Sequence, residues 1–184
     1  VGGRGYSYEK NMLPTIIFLV FTSFSNFKNH VTLKFCSTSL SENKVLAGLK
    51  HLNRIDSVVA RSEWKTDRIY EGIFLDRDNF LIEGTMSNIF LIKNGTLYTP
   101  PLSHAGIEGI MREVLIEKGK LFFKSVKIEK INKDKLSEFD EMFVTNSVIK
   151  VMPVKQIENI RFTIFSSTQK VVDYFSKSKN LEFS

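Results

Sequence analysis

The chain has 184 residues, 42% hydrophobic and 25% charged, the make-up of a soluble globular protein with one good core. Its formal net charge of +6 comes from lysines scattered among acids, with no basic stripe interleaved with aromatics, so anionic small molecules are favoured over nucleic acid. A single cysteine, Cys36, excludes an internal disulfide and a cysteine-based zinc site, and the three histidines (His30, His51, His104) lack metal-ligand spacing, so no metal is expected.

Residues 1–10 form a glycine-rich stretch around Arg4, read either as a clamp for a carboxylate or as a terminus. The apolar run at 14–21 predicts a buried strand; with residues 12 and 13 it is still too short to span a bilayer. No membrane partner is expected, and with no signal peptide visible the cytoplasm is the default. Period-two alternation predicts a strand over 31–36, and 37–44 reads as a loop. Leu52, Ile55, Val58 and Val59 then make a helical stripe from about His51 onward. Lys50 stands just before it among Leu46, Ala47, Gly48 and Leu49. It is either a snorkelling surface residue or a desolvated amine whose charged form is disfavoured, which would make it nucleophilic.

A strand over 70–76 and a turn at 77–79 lead into two short apolar runs, 80–82 and 89–92, broken at Gly84. Asn94-Gly95 predicts a tight hairpin to a strand over 96–98, stopped by Pro100-Pro101. Ile107, Ile110, Met111, Val114 and Leu115 recur at helical spacing behind a glycine-flanked start whose free amides suit a phosphate. Glu83 lies between two buried strands, where an unpaired carboxylate is costly. A buried acid near an anion-binding helix start suggests a ligand with a phosphate and a protonatable nitrogen; a surface hairpin followed by an ordinary helix is the plain alternative. Further strands are predicted over 121–129, 139–145 and 160–164, with a short charged helix at 132–137 and an amphipathic helix over 166–177. Residues 178–184 read as a disordered tail.

The motifs GGRGYS (2–7), LAGLKHLNR (46–54), EGTMSNIF (83–90), YTPPLSHAGIEGIMRE (98–113) and MPV (152–154) occur in this order, and together the chain resembles the fold-type IV, class IV aminotransferase-like enzymes that use pyridoxal 5'-phosphate. GGRGYS, KHLNR and AGIEGIMR look most like the aminodeoxychorismate lyase branch, and branched-chain aminotransferases usually carry tyrosine where Arg54 stands. The resemblance implies an α/β (α+β) fold: the large domain of the D-amino-acid aminotransferase-like proteins, a mixed β-barrel-like sheet with outer helices. Residues 1–35 would be the end of a small N-terminal domain and its linker, and 36–184 the large cofactor-binding domain. The chain would then lack most of the small domain.

By the same resemblance Lys50 would bond to the cofactor aldehyde and carry the proton, its pKa lowered from about 10.4 towards about 7–8 by a buried setting. Glu83 would pair with the protonated ring nitrogen, and Ile107 would pack on one ring face. The backbone amides of Ile110 and Met111 would hold the phosphate, with Asn146 as a further phosphate-side contact. Arg54 would lie near the ring's phenolic oxygen, and Arg4 would bind a substrate carboxylate. The implied reaction converts 4-amino-4-deoxychorismate to 4-aminobenzoate and pyruvate, for folate synthesis, in a homodimer. A D- or branched-chain amino-acid aminotransferase is the alternative, and an inactive fragment the third reading.

Overall fold

Alternation along the strands gives this sheet two apolar faces, each covered differently. The computed structural model describes residues 29–177; the predicted strand at 14–21, Arg4 and its loop, and the tail lie outside them. The strands are β1 (Val31–Phe35), β2 (Glu71–Leu75), β3 (Leu81–Gly84), β4 (Asn88–Lys93), β5 (Thr96–Thr99), β6 (Ser125–Ile128), β7 (Glu141–Asn146), β8 (Lys150–Ile157) and β9 (Ile160–Arg161). They form one mixed sheet in the order β3-β2-β1-β8-β7-β4-β5-β6, with β9 paired to β8. The sheet curls into an open half-barrel, and past β6 the chain returns to the β3 edge, where Leu81 N–H donates to Ile131 O at 2.9 Å and Phe80 bridges to Asn132. The expected α/β architecture with a barrel-like sheet is what the chain adopts.

Inside the curl lie Leu33, Ile73, Ile89, Leu91, Val144 and Val154. Their neighbours in the chain, Phe90, Ile92, Phe143 and Val151, face outward and pack beneath the helices α2 (Ile110–Lys118) and α3 (Ser166–Lys177). Phe90 and Phe143, opposite each other in the β4–β7 ladder, stack with centroids 5.2 Å apart. The hairpin β4–β5 turns at Asn94 (φ 51°) and Gly95 (φ 76°), the two positive φ values of the tight turn that the sequence predicts. Helix α3 is fixed at its first turn by Glu141, whose carboxylate accepts from Ser167 N–H at 2.9 Å and Thr168 N–H at 2.7 Å.

Three expectations need correction. Strand β6 begins only at Ser125, because residues 119–121 close the α2 turn as a 3-10 segment. Helix α2 begins at Ile110, so Ile107 precedes it on an extended stretch. Helix α1 (Ile55–Arg61) starts four residues after His51, and it buries Ser57 and Ala60. Its apolar stripe, Leu52, Ile55, Val58 and Val59, is exposed together with Val45 and Leu49. No helix among the described residues is long and apolar enough to cross a membrane.

Glu141 is buried and gives both carboxylate oxygens to α3. Glu141→Ala leaves two first-turn amides without an acceptor, and chemical denaturation is expected to show a loss of about 1–3 kcal/mol.

Candidate active site

The six residues EGTMSN, 83–88, end β3, turn over and start β4, and they reach every other part of the site. The turn closes through Gly84 N–H donating to Ser87 O at 2.7 Å. A Cβ at Gly84 would meet Glu71 Oε1 and lie 2.6 Å from Ser87 Oγ, so only glycine fits here. On one side of the turn Glu83 Oε2 accepts from Ile107 N–H at 2.8 Å. On the other, Asn88 Nδ2 donates to Ile107 O at 2.8 Å, and its Oδ1 accepts from Gly109 N–H at 3.1 Å. Two side chains of one segment thus grip both ends of the loop before α2. Gly106 makes the approach possible, with φ at +92° and a missing Cβ that would lie 2.8 Å from Leu102 and 3.3 Å from the Glu83 carboxyl carbon.

The segment carrying Lys50 is tied to the same loop. Gly48 N–H donates to Gly106 O at 2.9 Å and Glu108 N–H donates to Gly48 O at 3.0 Å, a short parallel bridge to Ile107. Lys50 follows two residues later and is exposed, the surface alternative of the sequence reading, where the resemblance implied a buried setting. Its charge still reaches Glu83, favouring the ionised carboxyl. Arg54 points to the same acid, with Nη2 at 3.6 Å from Glu83 Oε1 and at 3.4 Å from its acceptor Thr85 O.

Glu83 is 3% exposed, and burial pushes its pKa up to about 7 against the Ile107 amide, Arg54 and Lys50, which all pull it down. Its Oε1 is fully enclosed and has no hydrogen-bond partner. Arg54 at 3.6 Å is near enough to attract it and too far to donate. A buried carboxyl in this state fits a cationic N–H donor. At the start of α2, Gly109 is the N-cap and makes no side-chain cap hydrogen bond, so the amides of Ile110 and Met111 have no side chain capping them. That arrangement fits a phosphate. Asn146 lies at the end of β7, where its Oδ1 accepts from Val148 and Ile149 N–H at 2.9 Å and its Nδ2 donates to Met86 O at 3.1 Å. Its side chain therefore staples the β7–β8 turn to the 84–87 turn.

The structure thus brings Glu83, Arg54 and the segment bearing Lys50 to the loop of Ile107 and Ile110, with Met111 buried; Asn146 is tied to the 84–87 turn instead. Sequence reasoning missed three residues. Asn88 stood inside the motif EGTMSNIF without a role of its own. Arg112, 4% exposed, anchors α2 by donating to Pro100 O at 3.0 Å. Glu71, with no exposed surface, accepts from Met86 N–H at 2.6 Å and from Ser87 Oγ at 2.7 Å. The signal for Glu71 was available: an acid in an apolar strand, the same anomaly that singled out Glu83.

The amino-transferase class IV family model matches residues 2–157. The aminodeoxychorismate lyase of Vibrio harveyi is 32% identical over 160 residues, covering 85% of this chain and 59% of that protein. The branched-chain-amino-acid aminotransferase of Escherichia coli strain K12 is 29% identical over 109 residues, 59% of this chain and 35% of that protein. Among solved structures, the 4-amino-4-deoxychorismate lyase from Pseudomonas aeruginosa superposes with a TM-score of 0.77 at 35% identity, over 84% of this chain and 56% of that one. The chain therefore spans between 35% and 59% of these proteins' lengths.

The raised Glu83 value fixes the direction of a pH effect. The folded chain holds the proton more tightly than the unfolded one, so this contribution to stability is full below about 4.5 and falls as pH rises to about 7. Without cofactor, Glu83→Gln is expected to raise the melting temperature at about pH 8 and leave it unchanged at about pH 4.

Proposed function

The chain belongs to the class IV aminotransferase family, and on that premise we propose that it forms the cofactor-binding part of a pyridoxal-phosphate-dependent aminodeoxychorismate lyase. The observation that carries the cofactor reading is the enclosed, unpartnered Oε1 of Glu83, a buried acid in want of a cationic N–H. Bound here, pyridoxal phosphate supplies an aldehyde that takes up amines and a ring that withdraws electrons from the carbon beside the bound amine. The residues of this chain do the rest. Glu83 keeps the ring nitrogen protonated. The amides of Ile110 and Met111 would hold the phosphate at the α2 start, and Ile107 would pack on the ring. Lys50 would be the amine that holds the cofactor and, once the substrate's own amine has displaced it, the free base for the proton on the amine-bearing carbon. Arg54 would lie near the ring, and Asn146 would support the phosphate side through its turn. Arg4 binds a substrate carboxylate.

The likeness to proteins named as lyases in Vibrio harveyi and Pseudomonas aeruginosa supports 4-amino-4-deoxychorismate as substrate, with 4-aminobenzoate and pyruvate as products. Arg54 supports the same choice, since branched-chain enzymes usually carry tyrosine at that place. The second reading, a class IV aminotransferase, is supported by the 29% identity to the Escherichia coli enzyme. We assign the described sheet and helices to the large domain, starting before Val31, and propose a cytoplasmic homodimer. The exposed stripe of Val45, Leu49, Leu52, Ile55, Val58 and Val59 suits a covered face in such a dimer.

Borohydride treatment of the chain with pyridoxal phosphate is expected to fix one cofactor mass on the peptide containing Lys50. Lys50→Ala is expected to lose it and Lys44→Ala to keep it; labelling unchanged by Lys50→Ala removes that residue from the role. Protein of the relatives' full length is expected to release 4-aminobenzoate from 4-amino-4-deoxychorismate. Steady amino transfer to a 2-oxo acid without that release establishes the aminotransferase instead.

A further inference from the structure

We infer that Glu71 is a positioning residue of the site: from beneath the 84–87 turn it sets where the carbonyls of Thr85 and Met86 point, and through them it fixes Arg54 and Asn146. Four observations carry this. Glu71 has no exposed surface and makes no ion pair among the described residues, so its carboxyl serves the interior. Its hydrogen bonds converge on one turn: Met86 N–H at 2.6 Å and Thr85 Oγ1 at 3.5 Å on Oε1, and Ser87 Oγ at 2.7 Å on Oε2. The outward face of that turn is used by the site, with Thr85 O accepting from Arg54 at 3.4 Å and Met86 O from Asn146 at 3.1 Å. Finally, the space for the carboxyl exists only because residue 84 has no side chain.

The chemistry is that of an acceptor platform. A backbone N–H cannot turn round, so the oxygen facing Met86 must remain an acceptor. The Ser87 hydroxyl can turn, so it accepts from an amide as readily as it donates to a carboxylate. Glutamine therefore fits the platform and leucine, of similar bulk, does not. This separates placement from charge. Part of the test rests on the cofactor reading above, and part is independent of it.

In the 184-residue chain without cofactor, the side-chain amide resonances of Asn146, assigned with Asn146→Asp, report its hydrogen bond to Met86 O. Glu71→Gln is expected to leave them in place. Glu71→Leu is expected to move them to the positions of a solvent-exposed asparagine while thermal melting stays cooperative. In a pyridoxal phosphate titration Glu71→Leu is expected to weaken binding about tenfold and Glu71→Gln by no more than about threefold. A cooperatively melting Glu71→Leu protein with unmoved amide resonances overturns the inference. So does a folded Glu71→Gln protein that fails as fully as the leucine variant, since charge then matters and placement does not. If Glu71→Leu does not fold, Ser87→Ala removes one donor and leaves the acid; a smaller shift of the Asn146 resonances supports the inference, and none overturns it. If the wild-type chain takes up no pyridoxal phosphate while the resonances respond as described, the positioning role stands and the cofactor reading fails.

Discussion

The hydrogen bond from Ile107 N–H to the buried carboxylate of Glu83 is the contact on which the site depends. It joins the end of an edge strand to the loop that starts α2. Asn88 repeats the grip a few residues on, taking the Ile107 carbonyl and the Gly109 amide. With both ends of the loop held, the Gly48 bridge has a fixed partner, and the segment bearing Lys50 is carried to the same spot. Strand end, helix start and lysine segment are far apart in sequence and come from no common secondary element. Their meeting is decided by two polar side chains and two glycines.

Those polar contacts work because the scaffold buries them. Interior side chains from β1, β4, β7 and β8 fill the curl, and the segment after β6 is tied through Ile131 to the β3 edge at Leu81, two residues from Glu83. Burial is also why the two acids there, Glu71 and Glu83, are both pushed up to about 7. In an exposed hairpin neither acid would be unusual. A low-dielectric surrounding raises the cost of a missing partner and strengthens the contacts that exist. The free oxygen of Glu83 is therefore an informative vacancy, whereas the exposed Lys50 carries no such signal by itself.

Much of the fold was legible because it rests on local periodicity. The apolar runs of β4 and β7, the Asn94-Gly95 hairpin and the stripe of Val171, Val172 and Phe175 in α3 all speak through their immediate neighbours. What could not be read was set by distant parts of the chain. The stripe of α1 has core spacing, yet its residues face outward while Ser57 and Ala60 face in. Residues 121–124 alternate like a strand but are drawn into the end of α2. At the site, the odd acid Glu83 was conspicuous against apolar neighbours. The structure gathers the other expected residues among 29–177 around one loop, except Asn146, which is tied to the 84–87 turn; Arg4 lies outside that range. The partners of Glu71 lie 14 to 16 residues away, and no spacing rule connects them.

The fit between Glu71 and the bare backbone of Gly84 has a consequence for how such chains can change over evolutionary time. An alanine at 84 cannot be accepted while the acid is present, because its methyl would occupy the space of the carboxyl. Loss of the acid opens that space but leaves two donors stranded. Neither of these two replacements is neutral alone, so a side chain at 84 and the acid at 71 constrain each other. Directed evolution of this site would have to cross that barrier with paired codon changes, or else leave both positions alone and vary the rim at Met86 and Val148, where the side chains stand in solvent.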